Sequence, residues 1–452
     1  MVSVENEARK GRGPWQWFAP TDTKEERRLI LKLDLLILPY AFLMFWVSYI
    51  DGTNISNAWV SGLSDDLGFH GNQLVHFQTM STVGQIIGQI PSAIFFSILP
   101  MHWIVPGTQL GWGVFTLVQF RAQTYGQLMA YRFMIGFFEA SLFPGIWYVL
   151  GSWYRPDEIG RRAGMFQMGL PFAALTAGLV QSGASANLDG VNGLAGWRWM
   201  FIIVSIMTFP TAFLGFFIWP GTPTMPNKIW IKEKDLAVHR KHFGAMAKNH
   251  VKGKHSWALW KGIFLDWKIW TFTIYNNLLY FSDPQPWSGY LLWLKSLGRY
   301  SDAKVNSLSA TAPGVGMLLV LVINSFADWF GRPVAVLVAQ GMNAISTLIL
   351  IIWDVPEAAK WYAFNTYYAD VGMNGVVFSY CQDACRRNDT ERGIIVVVIN
   401  IIAQIFRAWA GNLMFATVDA PRFQKGYGTC FAAAISIMGF TYYVRYLYAR
   451  QE

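Results

Sequence analysis

Apolar residues fall in twelve runs of about twenty, at 32–50, 74–98, 103–120, 127–151, 163–183, 198–219, 269–292, 307–326, 333–353, 359–380, 393–416 and 428–448. A helix rises ~1.5 Å per residue, so each run is long enough to cross the ~30 Å hydrocarbon core of a bilayer. Several runs contain proline (Pro39, Pro91, Pro144, Pro171, Pro210, Pro313), which membrane helices tolerate because neighbours re-satisfy the freed backbone groups. The longest polar interruption lies between the sixth and seventh runs. The pattern therefore predicts an all-α integral membrane fold of twelve transmembrane helices in two pseudo-symmetric six-helix bundles. The expected parts are a tail at 1–31, a bundle at 32–219, a basic linker at 220–268, a second bundle at 269–448 and a tail at 449–452. Two such bundles enclose a cavity at the bilayer midplane.

Composition sharpens this picture. The chain has 452 residues, 53% hydrophobic and only 14% charged, where a soluble domain carries roughly 25% charged residues. Twenty-two Trp and nineteen Tyr suit two wide water–lipid interfaces. The net charge of +9 is spread over tails and alternate loops, which argues against nucleic acid. Arg9, Lys10, Arg12, Lys24, Arg27 and Arg28, then Arg155, Arg161 and Arg162, the linker lysines, and Arg386, Arg387 and Arg392 fall on one side. By the positive-inside rule that side is cytosolic, and both termini are expected there. The linker itself reads as a solvated segment facing lipid headgroups. Cys381, Cys385 and Cys430 lack the companions a metal site needs, so no metal or cofactor is expected. No nucleophile, histidine and acid come together at membrane depth, so the chain does not read as an enzyme.

Charged residues inside the runs are the candidate chemistry, because a charge at membrane depth usually faces a pathway. Glu139 sits mid-run in the fourth span, and Arg132 lies seven residues earlier on nearly the same face. The pair reads either as a proton-exchanging acid with a basic partner or as a permanent ion pair bracing the first bundle. Asp51 lies toward the outer end of the first span and reads either as a second acid or as an interface residue. In the eleventh span Asn400, Gln404 and Arg407 share a helical face. Arg407 is expected either to hold a substrate carboxylate or to pair with Asp370 of the tenth span. Arg132 and Gln404 are candidate substrate-binding residues beside Arg407, as are Asn276, Asn277, Tyr367 and Asn374, each of which could equally be an interhelical hydrogen bond, as could Gln85 and Gln89. Between the eighth and ninth spans, Ala327-Asp328-Trp-Phe330-Gly331-Arg332-Pro333 suits a conformational latch of Asp328, Gly331 and Arg332.

That loop resembles the cytoplasmic signature of the major facilitator superfamily. The segments Arg132–Gly145, Trp153–Glu158 and Arg161–Gly164 look like its anion:cation symporter branch. Tyr49-Ile-Asp51-Gly-Thr-Asn54-Ile-Ser-Asn57, Trp219-Pro220-Gly-Thr-Pro223 and Ala420-Pro421-Arg422-Phe-Gln-Lys425-Gly426 resemble its fungal allantoate-permease and pantothenate-transporter group. The resemblance implies proton exchange on a span-one Asp and a span-four Glu, which are Asp51 and Glu139 here. Two features depart from it. Gly52 stands where bacterial relatives carry an Arg, and the first-half loop Leu99–Trp103 lacks the acid and the Arg.

Taken together, these features predict a monomeric, multi-pass plasma-membrane transporter that brings in a small carboxylate, pantothenate-like, with protons. A second reading keeps the fold and imports or exports a specialised metabolite. A distant third is a non-transporting nutrient sensor.

Overall fold

Each of the twelve apolar runs carries helix in the computed structural model, which describes residues 17–18, 22–154, 162, 165–166, 168–243, 261–262, 264–284, 288–330, 332–373 and 389–451. The first half comprises α1 (Lys24–Ala58), α2 (Gln73–Ile98), α3 (Met101–Val118), α4 (Tyr125–Glu139), α5 (Leu142–Trp153), α6 (Gly169–Asn187) and α7 (Gly196–Ile218). After a short α8 (Glu233–Phe243), the second half comprises α9 (Trp267–Ser282), α10 (Gly289–Ser296), α11 (Asp302–Ser309), α12 (Thr311–Phe330), α13 (Arg332–Ile352), α14 (Glu357–Thr366), α15 (Asp389–Met414) and α16 (Gln424–Gln451). The start of α1 lies against α8 through Lys32 and Asp235, and this face is called here the terminal face.

Local chemistry explains where the spans start and break. α1 begins eight residues before its apolar run because Thr23 and Glu26 form a capping box, Thr23 N donating to Glu26 Oε2 at 2.7 Å. It continues past Ala58 through a wide turn to Asp66, with Gly62 at φ 105° where a side chain would be strained. The fourth span breaks after Glu139, and Pro144 explains the break because it has no N–H to offer the Ala140 carbonyl. The seventh span breaks at Asp283, which precedes Pro284 and is extended. The Ser282 carbonyl orphaned by that break accepts from Asn343 Nδ2 of α13 at 2.8 Å.

Packing of α2 on α4 rests on missing side chains. A Cβ on Gly84 would run into Phe133 O, one on Gly88 into Phe137 O, and one on Gly136 into Ser81 O. Gly84 and Gly88 are one turn apart on α2, the small-xxx-small spacing that lets membrane helices approach closely.

The linker departs from its expectation. Rather than lying wholly solvated, its described part is docked on the first half. Gly221–Thr222 pairs antiparallel with Met225–Pro226, and Trp153 Nε1 donates to Gly221 O at 2.7 Å. Asn227 Nδ2 caps the end of α7 through Phe216, Phe217 and Trp219 carbonyls, each at 3.2 Å. Ile231 and Leu236 are buried with Leu29, Leu33 and Trp153, and Lys32 Nζ reaches Asp235 Oδ2 at 2.7 Å. Partial burial pushes the Asp235 carboxyl up, but the Lys32 ammonium and the Lys232 N–H outweigh it and hold it below the ordinary carboxylate value. The tie is therefore in place at neutral pH and is lost only as acid protonates Asp235. The lysine content of the segment concealed this apolar stripe.

On the same face Arg162 is almost fully buried. Its Nε and Nη2 donate to Asp34 Oδ1 and Oδ2 at 2.6 and 2.9 Å, and its guanidinium lies between the rings of Trp17 and Tyr154 at 5.0 and 4.3 Å.

Two stability outcomes follow, both measurable by thermal unfolding of purified protein. Gly136→Val should destabilise by about 3 kcal/mol or more, because the clash is with backbone that has no rotamer to move. Asp34→Ala should cost about 3–5 kcal/mol by taking the bidentate carboxylate from a buried guanidinium, and Arg162→Ala about as much by leaving the buried Asp34 carboxylate on the Trp17 N–H.

Candidate functional site

The fourth span delivers Glu139 to a seam where α1, α2 and α4 meet. Ser48 Oγ of α1 donates to Glu139 Oε1, and Gln85 Nε2 of α2 donates to Oε2 at 3.0 Å. Gln85 directly follows Gly84, so the backbone approach that packs α2 on α4 also brings the amide to the carboxylate. Asp51 is three residues beyond Ser48 and is 1% exposed. It accepts from Thr116 Oγ1 of α3 at 2.5 Å, while its Oδ1 has no partner. Because α1 runs on for two more turns and a further helical stretch, Asp51 is an interior residue, not an interface one.

Arg132 is 2% exposed and lies within electrostatic reach of both Asp51 and Glu139. It forms no ion pair with either, and its Nε and Nη1 have no hydrogen-bond partner. The expected alternative of a bracing Arg132–Glu139 ion pair is therefore absent. Two turns of helix separate the pair by ~10 Å along the axis, too far for the carboxylate when serine and glutamine hold it elsewhere. Glu139 is therefore a buried acid held by neutral donors, with a buried cation nearby but unbonded.

On the opposite side, Arg407 of α15 lies over the ring of Tyr280 at 5.4 Å. Tyr280 OH donates to Asn400 Oδ1 at 3.1 Å, one helical face joining two of the three predicted polar residues. Arg407, Tyr280, Phe281, Ala403, Met414 and Phe415 line a small cleft. Tyr49 of α1 is within electrostatic reach of Arg407, Asp283 and Tyr368, so the two halves face each other here. Gly52 lies one turn on from Ser48 and one turn before Ser56, and a side chain placed on it would meet open space. Asp370 is not the partner of Arg407. It accepts from Ser282 Oγ at 3.0 Å and from Gln340 Nε2.

The other predicted cavity residues are mostly ties. Asn276 Nδ2 donates to Ile399 O of α15 at 3.3 Å, Asn277 Nδ2 to Thr273 O of its own helix at 2.8 Å, and Tyr367 is buried, stacked on Tyr368. Gln404 Oε1 accepts from Gln89 Nε2 of α2 at 3.1 Å, crossing between halves. Asn374 and Gly331 lie outside the described residues, as do the side chains of Asp328 and Arg332. Ser48, Tyr280 and Asp283 were not singled out in the sequence; only the one-turn spacing of Ser48 from Asp51 could have marked the first.

Among the described residues seven side-chain hydrogen bonds join the halves, and Gln89–Gln404 is the one nearest the terminal face. The others cluster toward the far face. Ser288 Oγ donates to Ser56 Oγ at 2.7 Å, and Gln78 Nε2 donates to Ser288 Oγ at 3.2 Å. Asn306 Nδ2 reaches Ser61 Oγ at 2.9 Å, Asn412 Nδ2 reaches Thr79 Oγ1 at 3.0 Å, and Thr417 and Asn72 side chains bind the Val75 and Val418 N–H groups. The molecule is closed on its far face.

Two helical halves bonded to each other on the far face, with polar residues at mid-depth, have the architecture of a membrane transporter. The match to the Major Facilitator Superfamily covers residues 41–411, and the chain belongs to that family. It is 35% identical to a vitamin H transporter of Saccharomyces cerevisiae over 99% of this chain and 78% of the relative. It is 31% identical to a pantothenate transporter of Schizosaccharomyces pombe over 89% and 79%. Among solved structures, it superposes on the partially occluded inward-open xylose transporter of E. coli with a TM-score of 0.67 at 17% identity, covering 90% of this chain and 98% of that one. An inward-facing bacterial homologue of the lysosomal transporter Spinster gives 0.62 at 12% identity, with 94% and 98% covered. The chain is a multi-pass membrane transporter and not an enzyme.

Closure of the far face is directly testable. With their hydroxyls 2.7 Å apart, Ser56→Cys and Ser288→Cys together should form a disulfide that holds the far face shut. Transport should fall to background on oxidation and return with reductant, and either single cysteine should be insensitive.

Proposed function

We propose that this transporter imports a small carboxylate vitamin, of the biotin or pantothenate kind, together with protons. The observation that carries this reading is the near full-length likeness to a vitamin H transporter and to pantothenate transporters. Both vitamins are flexible monocarboxylates with amide-type groups. A cavity for them needs a cation for the carboxylate and neutral hydrogen-bonding groups for the rest.

In this reading Glu139 carries the proton. A carboxylate held by a serine and a glutamine, at a seam between spans, removes a buried charge when protonated and so makes the closed states accessible. Asp51 is its companion, and Arg132 favours whichever of the two acids is ionised. Arg407, presented on Tyr280 beside Asn400, takes the substrate carboxylate from the second half. The open space at Gly52 supports this division, since the first half then offers room in place of a second cation. Gln404 and Gln89 separate when the halves move. Asp328, Gly331 and Arg332 form the latch on the terminal face. The terminal face lies in the cytosol, the membrane is the plasma membrane, and one copy of the chain suffices because its own halves make the cavity.

The test is uptake of labelled biotin and labelled pantothenate, at acidic and neutral outside pH, in yeast lacking its own carriers. Saturable uptake of one of them, stronger in acid and lost in Glu139→Gln, is expected. Arg407→Gln should raise KM about tenfold to a hundredfold, the worth of a charged hydrogen bond. Unchanged KM would remove Arg407 from the substrate, and surface-expressed protein that takes up neither vitamin would remove both cargoes.

A further inference from the structure

The second half also holds a buried carboxylate on a serine of its own first span and a glutamine, although here the glutamine comes from the third span of the half and not the second. Glu139 on the fourth span accepts from a serine hydroxyl of the first span, Ser48, and a glutamine amide of the second, Gln85. Asp370 is on the tenth span, the fourth of its own half. It accepts from Ser282 Oγ of α9, the first span of that half, at 3.0 Å, and from Gln340 Nε2 of α13. Asp370 is 2% exposed, and Ser282, Gln340 and Asn343 are 0% exposed.

What surrounds Asp370 is acidic or neutral. Asp283, at the break after α9, and Cys430 of α16 lie within electrostatic reach of it. Tyr367 and Tyr368 share its own turn. The described side chains of α12 and all those of α13 beyond Arg332 include no titratable group. Both donors to its carboxylate are neutral, and among the described residues no ion pair reaches it. A buried carboxylate with only neutral donors costs several kcal/mol, and a proton removes that cost.

A second observation points the same way. The Asn343 amide donates to Ser282 O at 2.8 Å and approaches Gln340 Oε1 at 3.5 Å, within the same cluster. Its Oδ1 is buried without a hydrogen-bond partner. The cluster has more acceptors than donors, and a proton on Asp370 supplies a donor.

We infer that Asp370 is a second proton-binding site, the counterpart in the second half of Glu139, loaded and unloaded during transport. The coupling clause rests on the proposed proton-driven uptake; the proton itself does not.

The proton is read without substrate, by pH-difference infrared spectroscopy of the purified full chain in lipid. The carbonyl stretch of a protonated carboxyl should be present in wild type and lose one component in Asp370→Asn and a different one in Glu139→Gln. A spectrum unchanged by Asp370→Asn overturns the site, and so does bleaching of that component by sodium at fixed pH, which would make it a metal-cation site. Should Asp370→Asn fail to fold, Asp370→Glu replaces it: the protonated-carboxyl component should shift in frequency, and a spectrum identical to wild type overturns the site. In vesicles that accumulate biotin or pantothenate, Asp370→Asn should lower steady-state accumulation about tenfold per pH unit of gradient, while exchange at equal pH persists. Unchanged accumulation overturns the coupling. A protein that moves neither vitamin defeats the proposed cargo and leaves the infrared result standing.

Discussion

The approach of two backbones, α2 and α4, governs the first half. In hydrocarbon, helices gain nothing from hydrophobic attraction to one another, so close van der Waals contact must hold them together. Gly84 and Gly88 on α2 and Gly136 on α4 provide it, because a methyl group at any of them would enter the opposite main chain. The functional side chains are indexed to these glycines. Gln85 follows Gly84, Glu139 lies three residues past Gly136, and the same approach brings amide and carboxylate to 3.0 Å. A spacing fault of one residue would turn both groups out of the seam.

Polar groups at depth divide into fixed ties and groups whose charge state can vary. Tyr40 OH donates to Gln109 Oε1 at 3.0 Å and Gln109 Nε2 donates on to Thr211 at 2.7 Å, while Gln181 Nε2 donates to Asn54 Oδ1 at 2.9 Å and Tyr275 pairs with Thr441 at 2.8 Å. These neutral bonds stitch spans within each half and leave it to move as a unit. Asp51, Glu139 and Asp370 differ, since each accepts from neutral groups and none has an ion-pair partner among the described residues. The distinction is physical: a neutral tie costs little to bury, whereas an ionised acid is costly to bury and responds to whatever proton or cation is available.

Much of this was legible in the sequence because it is local. Run length and the linker gave twelve helices in two sets, and an acid in an apolar run drew attention to Glu139 without reference to any other helix. The glycine spacing of α2 is also written in the chain, but it does not say which helix it meets. What was not legible depends on three helices converging. Ser48, Gln85 and Glu139 come from three spans, as do Ser282, Gln340 and Asp370, and no periodicity links them. Asp370 was accordingly offered to Arg407, which turns instead to Tyr280. The linker misled for another reason: its lysines dominated its composition, although Ile231 and Leu236 at the right spacing were enough to dock it.

The closure of the far face has an electrical consequence. Every side-chain bond described across it comes from Ser, Thr, Asn or Gln, and none carries charge. Opening such a seam exchanges hydrogen bonds between amides and hydroxyls for hydrogen bonds to water, with no ion to hydrate. It also moves no elementary charge through the membrane field, where one would be worth ~2.3 kcal/mol per 100 mV. Voltage and ionic strength therefore have little hold on this door. Any current or voltage dependence of the working protein must originate with the carboxylates, the arginines and the cargo in the interior.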